Sequence, residues 1–224
     1  MSVLGVNVSN SIAVVTLNRP EARNALSPEL VIRLARSWQV IRDDADIRAV
    51  VLTGAPGSTF CAGFDLAKTI PLFTGARPPA DEWDETLLSD PTLAGKACLR
   101  DYDLKKPLIV AANVHAIAGG MELLRAGDLR VLANKALIGL SEVKLGLIPA
   151  MGGTATLIRH MPRAVAAEML LTGNTISADR ALAVGFVNRV VEAEAVLATA
   201  TELAQTIACQ CTAGGRGCPR FAPY

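Results

Sequence analysis

Two acidic residues in otherwise apolar stretches are the groups best suited to chemistry: Glu122, in Ala116-Ile117-Ala118-Gly119-Gly120-Met121-Glu122, and Glu142, in Leu140-Ser141-Glu142-Val143-Lys144-Leu145-Gly146-Leu147-Ile148-Pro149. Two carboxyl groups brought together in a dry pocket resist ionising at once, so one can accept a proton while the other gives one. Glu122 stands where a strand is expected to feed a helix, and the unpaired amides and positive dipole end of that helix favour negative charge developing nearby. A third segment, Thr59-Phe60-Cys61-Ala62-Gly63-Phe64-Asp65-Leu66, follows another expected strand and its Gly54–Gly57 turn. Small residues around Gly63 let the backbone approach a ligand and leave N–H groups unpaired. Met151-Gly152-Gly153 lies just behind the second acid.

Each feature also has a plain structural explanation. A Gly-Gly pair before a helix serves tight packing, and a glutamate in a first helical turn commonly does no more than face the helix dipole in solvent. Glu142 could pair with Lys144 or another cation. His115 reads as a packed or hydrogen-bonded residue and Cys61 as a small core residue. The two histidines, His115 and His160, lie far apart, and no metal site is expected.

The elements that must position these groups follow from pattern. Ile12–Leu17 and Ala49–Thr53 are short β-branched runs that read as buried strands. Between them Ser27 can cap a helix, Pro28 suits its first position, and Leu30, Leu34, Trp38 and Ile41 recur at helical spacing. Strand, helix, strand implies a crossover and parallel pairing. Pro71–Pro91 is rich in Pro, Gly, Asp and Thr without a period and is expected to be a mobile surface segment. A short helical stretch is expected around Leu93–Tyr102. Leu108–Ala112 reads as a buried strand after Pro107, and Gly119 onward as a helix. Leu129–Ala133 and Ala136–Leu140 read as strands. Ser177 should cap a helix that Gly185 ends. The alternation places the chain in the α/β class.

With 224 residues, 51% hydrophobic and 19% charged, the chain has ample material for one large domain and is not a disordered polymer. A formal charge of +1 and 4% aromatic residues argue against nucleic-acid binding through a basic face. The start has no basic segment and does not read as a signal peptide. The most apolar stretch, Leu108–Leu124, is too short to span a membrane and contains Asn113, His115 and Glu122. Five scattered cysteines point to reduced thiols and a cytoplasmic location.

Together the segments resemble the enoyl-CoA hydratase/isomerase, or crotonase, superfamily. The likeness runs from Ile12 to about Ala208. It is carried by Asn18–Leu26 (NRPEARNAL), Phe60–Leu66 (FCAGFDL), Lys106–Leu123 (KPLIVAANVHAIAGGMEL), Ser141–Gly153 (SEVKLGLIPAMGG) and Leu171–Val191. The resemblance implies a spiral of repeated ββα units, assembled as a trimer or a dimer of trimers, acting on an acyl-CoA thioester. It assigns the amides of Phe64 and Gly119 to an oxyanion hole and the chemistry to Glu122 and Glu142, with Glu122 on the water and Glu142 on the α-proton. Coenzyme A contacts are assigned to Ala22 and Ala25 near the pantetheine and to Ala62, Asp65, Leu66 and Ala67 near the adenine, with Arg23 able to approach a phosphate. No metal or redox cofactor is implied. Two glutamates favour a hydratase over an isomerase, in which Glu142 alone would shuttle the proton. A catalytically impaired remnant that binds acyl-CoA is the third possibility.

Two departures stand out. Ala118 and Val114 occupy positions where the family usually carries glycine. Beyond the core domain, residues 1–208, the tail 209–224 (CQCTAGGRGCPRFAPY) has no helical period, is expected to be disordered, and supplies none of the family's terminal helices. The codons for Cys209–Ala213, read one base later, permit Ala-Asn-Ala-Pro-Leu, which would continue an ordinary helix. A frameshift is therefore a reading that sequencing the DNA at codon 208 decides.

Overall fold

The computed structural model describes residues 2–210. Its strands form a larger sheet of six and a smaller sheet of three among the described residues. In the larger sheet β1 (Leu4–Ser9) and β2 (Ile12–Leu17) form an antiparallel hairpin. Its turn residues Asn10 and Ser11 have φ of 50° and 61°, the positive values a two-residue hairpin turn demands. Sequence reading gave no sign of β1. Its apolar residues alternate with polar ones as expected of an edge strand, and Val6 and Val8 stay exposed.

The strands β3 (Ala49–Gly54), β4 (Leu108–Ala112), β6 (Leu129–Ala133) and β9 (Arg189–Val191) continue the sheet in parallel from β2. All of β3 and β4 is buried, which explains why they read as unbroken apolar runs. The expected crossover is α1 (Pro28–Asp43). Ser27 Oγ accepts the Leu30 amide at 3.3 Å, Pro28 opens the helix, and Leu30, Leu34, Trp38 and Ile41 are buried. Trp38 donates its indole N–H to Ala97 O at 2.9 Å, tying α1 to α4 (Thr92–Ala97). That helix is shorter than expected, because Leu99 has a φ of 52° and turns the chain away.

The smaller sheet holds β5 (Ala116–Ile117), β7 (Leu137–Gly139) and β8 (Ile176–Ser177). Single parallel bridges extend it, Cys61 to Ala116 and Leu26 to Phe64. Successive stretches thus place one strand in each sheet and then a helix: β4, β5 and α5 (Gly119–Ala126), then β6, β7 and the helices α6 (Gly153–Thr156) and α7 (Arg163–Thr172). This is the crotonase-like spiral of ββα units.

Pro71–Pro91 is not a loose segment. It contains the end of α2 (Thr69–Phe73) and all of α3 (Glu82–Ser89). Asp81 caps α3 by accepting the amides of Trp83 and Asp84, Leu72 and Leu87 are buried, and Arg77 holds the buried Asp84 through two hydrogen bonds. These helices are too short to show a period, so only their capping and burial reveal them.

Ser177 caps α8 (Ala178–Ala183), and Gly185, with φ 76°, follows it as expected. The last helix, α9 (Val196–Gln210), packs across β2, β3, β4 and β6. It runs two residues past the boundary placed at Ala208; the rest of the proposed tail, and the frameshift reading with it, lies outside the described residues. Among the described residues no helix is long and apolar enough to cross a membrane.

Candidate active site

The two parallel bridges shape the first half of the site. Leu26 donates its amide to Gly63 O at 2.8 Å, and Asp65 donates to Leu26 O at 3.2 Å. In a parallel bridge the residue between those two groups turns its own amide to the opposite side. That residue is Phe64, and its N–H has no acceptor among the described residues. Gly119 is the first residue of α5, where an amide has no intrahelical partner. The two segments touch: a Cβ on Gly63 would lie 3.1 Å from the Gly119 nitrogen, and one on Gly119 would lie 3.0 Å from the Phe64 ring. Two free donors therefore stand side by side.

Ala118 makes the turn into α5 with φ 52° and ψ −123°, a conformation suited to glycine. Its methyl group occupies the space a Cβ on Gly63 would need, with 2.8 Å between them. Gly120 cannot bear a side chain at all, since a Cβ there would lie 2.1 Å from Cys61 O. The glycines of this segment serve close backbone approach, and the approach is what brings the Phe64 and Gly119 amides together.

Both acids face one cavity of about 550 Å³, which Phe64, Gly119, Glu122 and Glu142 all line. Glu122 sits in the first turn of α5, only 2% exposed, and its Oε1 accepts the Gly153 amide at 3.0 Å. It is therefore not the solvated dipole partner of the plain explanation. Burial raises its pKa, while the Gly153 and Met151 amides and the charges of Arg125 and Arg100 oppose that rise. Glu142 opens a 3-10 turn, Glu142–Leu145, after β7. Burial pushes it up to about 7, and the charge of Glu122 adds to the effect. Its Oε2 is buried without a hydrogen-bond partner. Lys144 does not neutralise it, since the ammonium donates instead to Asn174 Oδ1 at 2.9 Å.

Of the other expected contacts, Ala62 and Leu66 line the cavity, and Arg23 stands exposed at its edge with φ 52°. Ala22, Ala25, Asp65 and Ala67 lie outside that lining. Ala25 O accepts Arg19 Nη1, and the Asp65 carboxylate meets the same guanidinium at 2.6 Å while accepting the amides of Ala67 and Lys68. Burial acts to raise Asp65, but the Arg19 hydrogen bond and these amides outweigh it and hold the carboxyl below its ordinary range. Asp65 thus fastens the loop that carries Phe64.

His115 accepts the Leu137 amide at Nδ1, 3.0 Å away, and so joins β5 to β7. Cys61 is wholly buried, and burial pushes its thiol up to about 12, which leaves a packing residue. Leu147 and Ile148, in the apolar segment around Glu142, line the cavity, whereas the sequence did not mark Ile70 and Phe73 of α2 as part of its wall. Phe73 meets Phe64 with ring centroids 6.1 Å apart. The only available signal was the apolar trio Ile70, Leu72 and Phe73 at the margin of a Pro- and Gly-rich stretch.

A family model described as enoyl-CoA hydratase/isomerase matches residues 7–214. The chain is 43% identical over 203 residues to an (E)-benzylidenesuccinyl-CoA hydratase of Thauera aromatica, covering 91% of this chain and 75% of the relative. It is 40% identical over 194 residues to the enoyl-CoA hydratase EchA19 of Mycobacterium tuberculosis, covering 87% and 70%. Among solved structures, a carnitinyl-CoA dehydratase from Mycobacterium avium superposes with a TM-score of 0.82 at 37% identity, over 93% of this chain and 77% of that one. An enoyl-CoA hydratase from Mycobacterium tuberculosis gives 0.78 at 34% identity, over 92% and 76%.

Proposed function

The chain belongs to the enoyl-CoA hydratase/isomerase family and is a hydro-lyase of the hydratase type, and on that premise we propose that it adds water across the 2-trans double bond of an acyl-CoA thioester to give the 3-hydroxyacyl-CoA. The observation that carries this reading is the meeting of two buried carboxyl groups with two unpaired amides in one cavity. The thioester oxygen binds between the amides of Phe64 and Gly119. Attack at the β-carbon pushes charge onto that oxygen, and each preorganised donor is worth about 3 kcal/mol to the transition state. Glu122, whose Oε1 accepts the Gly153 amide, orients the water and takes one of its protons. Glu142, whose pKa of about 7 keeps much of it protonated at neutral pH, gives a proton to the α-carbon. Proton exchange with solvent resets the pair.

Coenzyme A arrives as part of the substrate, and the reaction so written draws on no metal or redox cofactor. Ala62 and Leu66 would flank the coenzyme. Exposed Val143, Leu145 and Leu171 suit burial between copies in a trimer or a dimer of trimers, which sedimentation would detect. A direct test offers the protein crotonyl-CoA and a 3-enoyl-CoA in parallel. Loss of the conjugated thioester absorbance with crotonyl-CoA is expected; reaction of the 3-enoyl substrate alone would replace the hydratase reading with an isomerase, and no reaction with either would mark an impaired acyl-CoA binder.

A further inference from the structure

The carboxylate of Glu122 is aimed by a turn that is itself held from outside. Gly152, with φ 106°, lets the chain double back so that the Gly153 amide reaches Oε1. Arg125, three residues after Glu122 on α5 and 8% exposed, donates from Nη2 to Met151 O at 3.1 Å. Its guanidinium lies flush against Gly152, where a Cβ would come within 2.9 Å of it. Arg100, beyond the end of α4 and paired with Asp101, donates from Nη1 to Ala150 O at 3.0 Å. A trans peptide points its carbonyl and its amide in opposite directions. Arg100 therefore draws the Ala150 carbonyl one way and leaves the Met151 amide facing the other, toward Glu122.

We propose that Arg125, assisted by Arg100, is a positioning residue for Glu122: the two guanidiniums hold the consecutive carbonyls of Met151 and Ala150 and thereby fix the turn that presents the Met151 and Gly153 amides to the carboxylate. The proposal rests on the reading of Glu122 as the group that handles the water. Neither arginine touches the substrate site, since neither lines the cavity. A neutral side chain of similar length at 125 would fill the space but could not hold the carbonyl. The groups that act on or alongside Glu122 are Glu142 from the turn after β7, the Cys98 thiol at the end of α4, Arg100 beyond it, and Arg125 on α5. Loss of Arg125 leaves Arg100 as the remaining cation of the two that favour the ionised Glu122 and loosens the two amides, so the Glu122 carboxyl must hold its proton to higher pH.

The test uses the full chain and two readouts. Infrared titration follows the protonated carboxyl band of Glu122, identified by its disappearance in Glu122→Gln, and steady-state kinetics follow hydration. Arg125→Met should move the Glu122 titration upward by about one pH unit. It should lower kcat about 100-fold through misplacement of the carboxylate, with KM changed less than about threefold. Arg125→Lys should recover most of both, and Arg100→Met should give a smaller change of the same sign. A Glu122 band that titrates as in the wild type in Arg125→Met, or equal damage from Lys and Met, overturns the proposal. If Arg125→Met does not fold, Arg125→Lys and Arg100→Met decide it by the same titration. A wild-type protein that hydrates no enoyl thioester sinks the hydratase reading instead, and the infrared shift still decides the positioning role.

Discussion

Glu142 shows how one residue can be valuable to the reaction and costly to the fold. Its folded pKa of about 7 lies above the ordinary value of a glutamate, so the native state binds its proton more tightly than the unfolded chain does. That contribution to stability is complete below about pH 4.5 and disappears as pH rises through 7. Glu142→Gln removes the titration. Its melting temperature should therefore fall less than that of the wild type between pH 5 and pH 8, while hydration drops by several orders of magnitude. Parallel melting curves for the two proteins across that range would refute the raised pKa, and near-normal turnover would remove Glu142 from the chemistry. Both acids were legible in the sequence because each interrupts an apolar run. The partner of Glu122 was not, since the Gly153 amide lies 31 positions away and reaches it through a turn held by Arg125 of the same helix and by Arg100 from beyond α4.

Among the elements, the entry to α5 places the tightest demands on residue type. Ala118 adopts φ 52° and ψ −123°, a cost of about 1–3 kcal/mol for a residue with a Cβ. Ala118→Gly relieves this but loses about 0.5–1 kcal/mol through the greater freedom of the unfolded chain. A net gain of about 1 kcal/mol in urea unfolding is expected, and an unchanged or lower midpoint would show that Ala118 is unstrained. Gly120→Ala goes the other way. Its Cβ would press on the Cys61 backbone, which cannot move without breaking the bridge to Ala116, so a loss of at least about 3 kcal/mol should appear as poor soluble yield or a lowered urea midpoint. Wild-type stability in that variant would mean that the Cys61 strand is free to shift. At this scale the helices α1 and α8 were legible from their caps and spacing, and α5 from its Gly-Gly entry. The segment Pro71–Pro91 was misread because α2 and α3 draw their order from the Asp81 cap, the Arg77–Asp84 pair and two buried leucines rather than from any local period.

For the molecule as a whole, stability and chemistry are divided between two regions. The cavity is built on the smaller sheet, α2, α5 and the turn that carries Glu142, whereas α9 lies across the larger sheet and contributes nothing to the cavity lining. Its buried residues Val196, Ala200, Ala204 and Ala208 recur every four positions, and three of the four are alanine. The Ala- and Leu-rich composition of Ala195–Ala208 marks a helix, but not the surface it covers, because the order in which β2, β3, β4 and β6 pair is a property of the folded chain. Alanine at these positions lets the helix lie close to strands that are themselves densely filled, and Arg48 adds a hydrogen bond from β3's approach to Ala208 O at 3.1 Å. Ala204 is wholly buried against those strands, so Ala204→Leu forces in methylenes for which there is no room, at about 1–3 kcal/mol. Because α9 does not meet the site, kcat well below the melting transition should stay at the wild-type value while the urea midpoint falls. The exposed Glu202 on the same helix serves as control, and Glu202→Ala should shift the midpoint by less than about 0.5 kcal/mol. A fall in kcat that matches the loss of stability in Ala204→Leu would show instead that the large sheet and the cavity move as one unit.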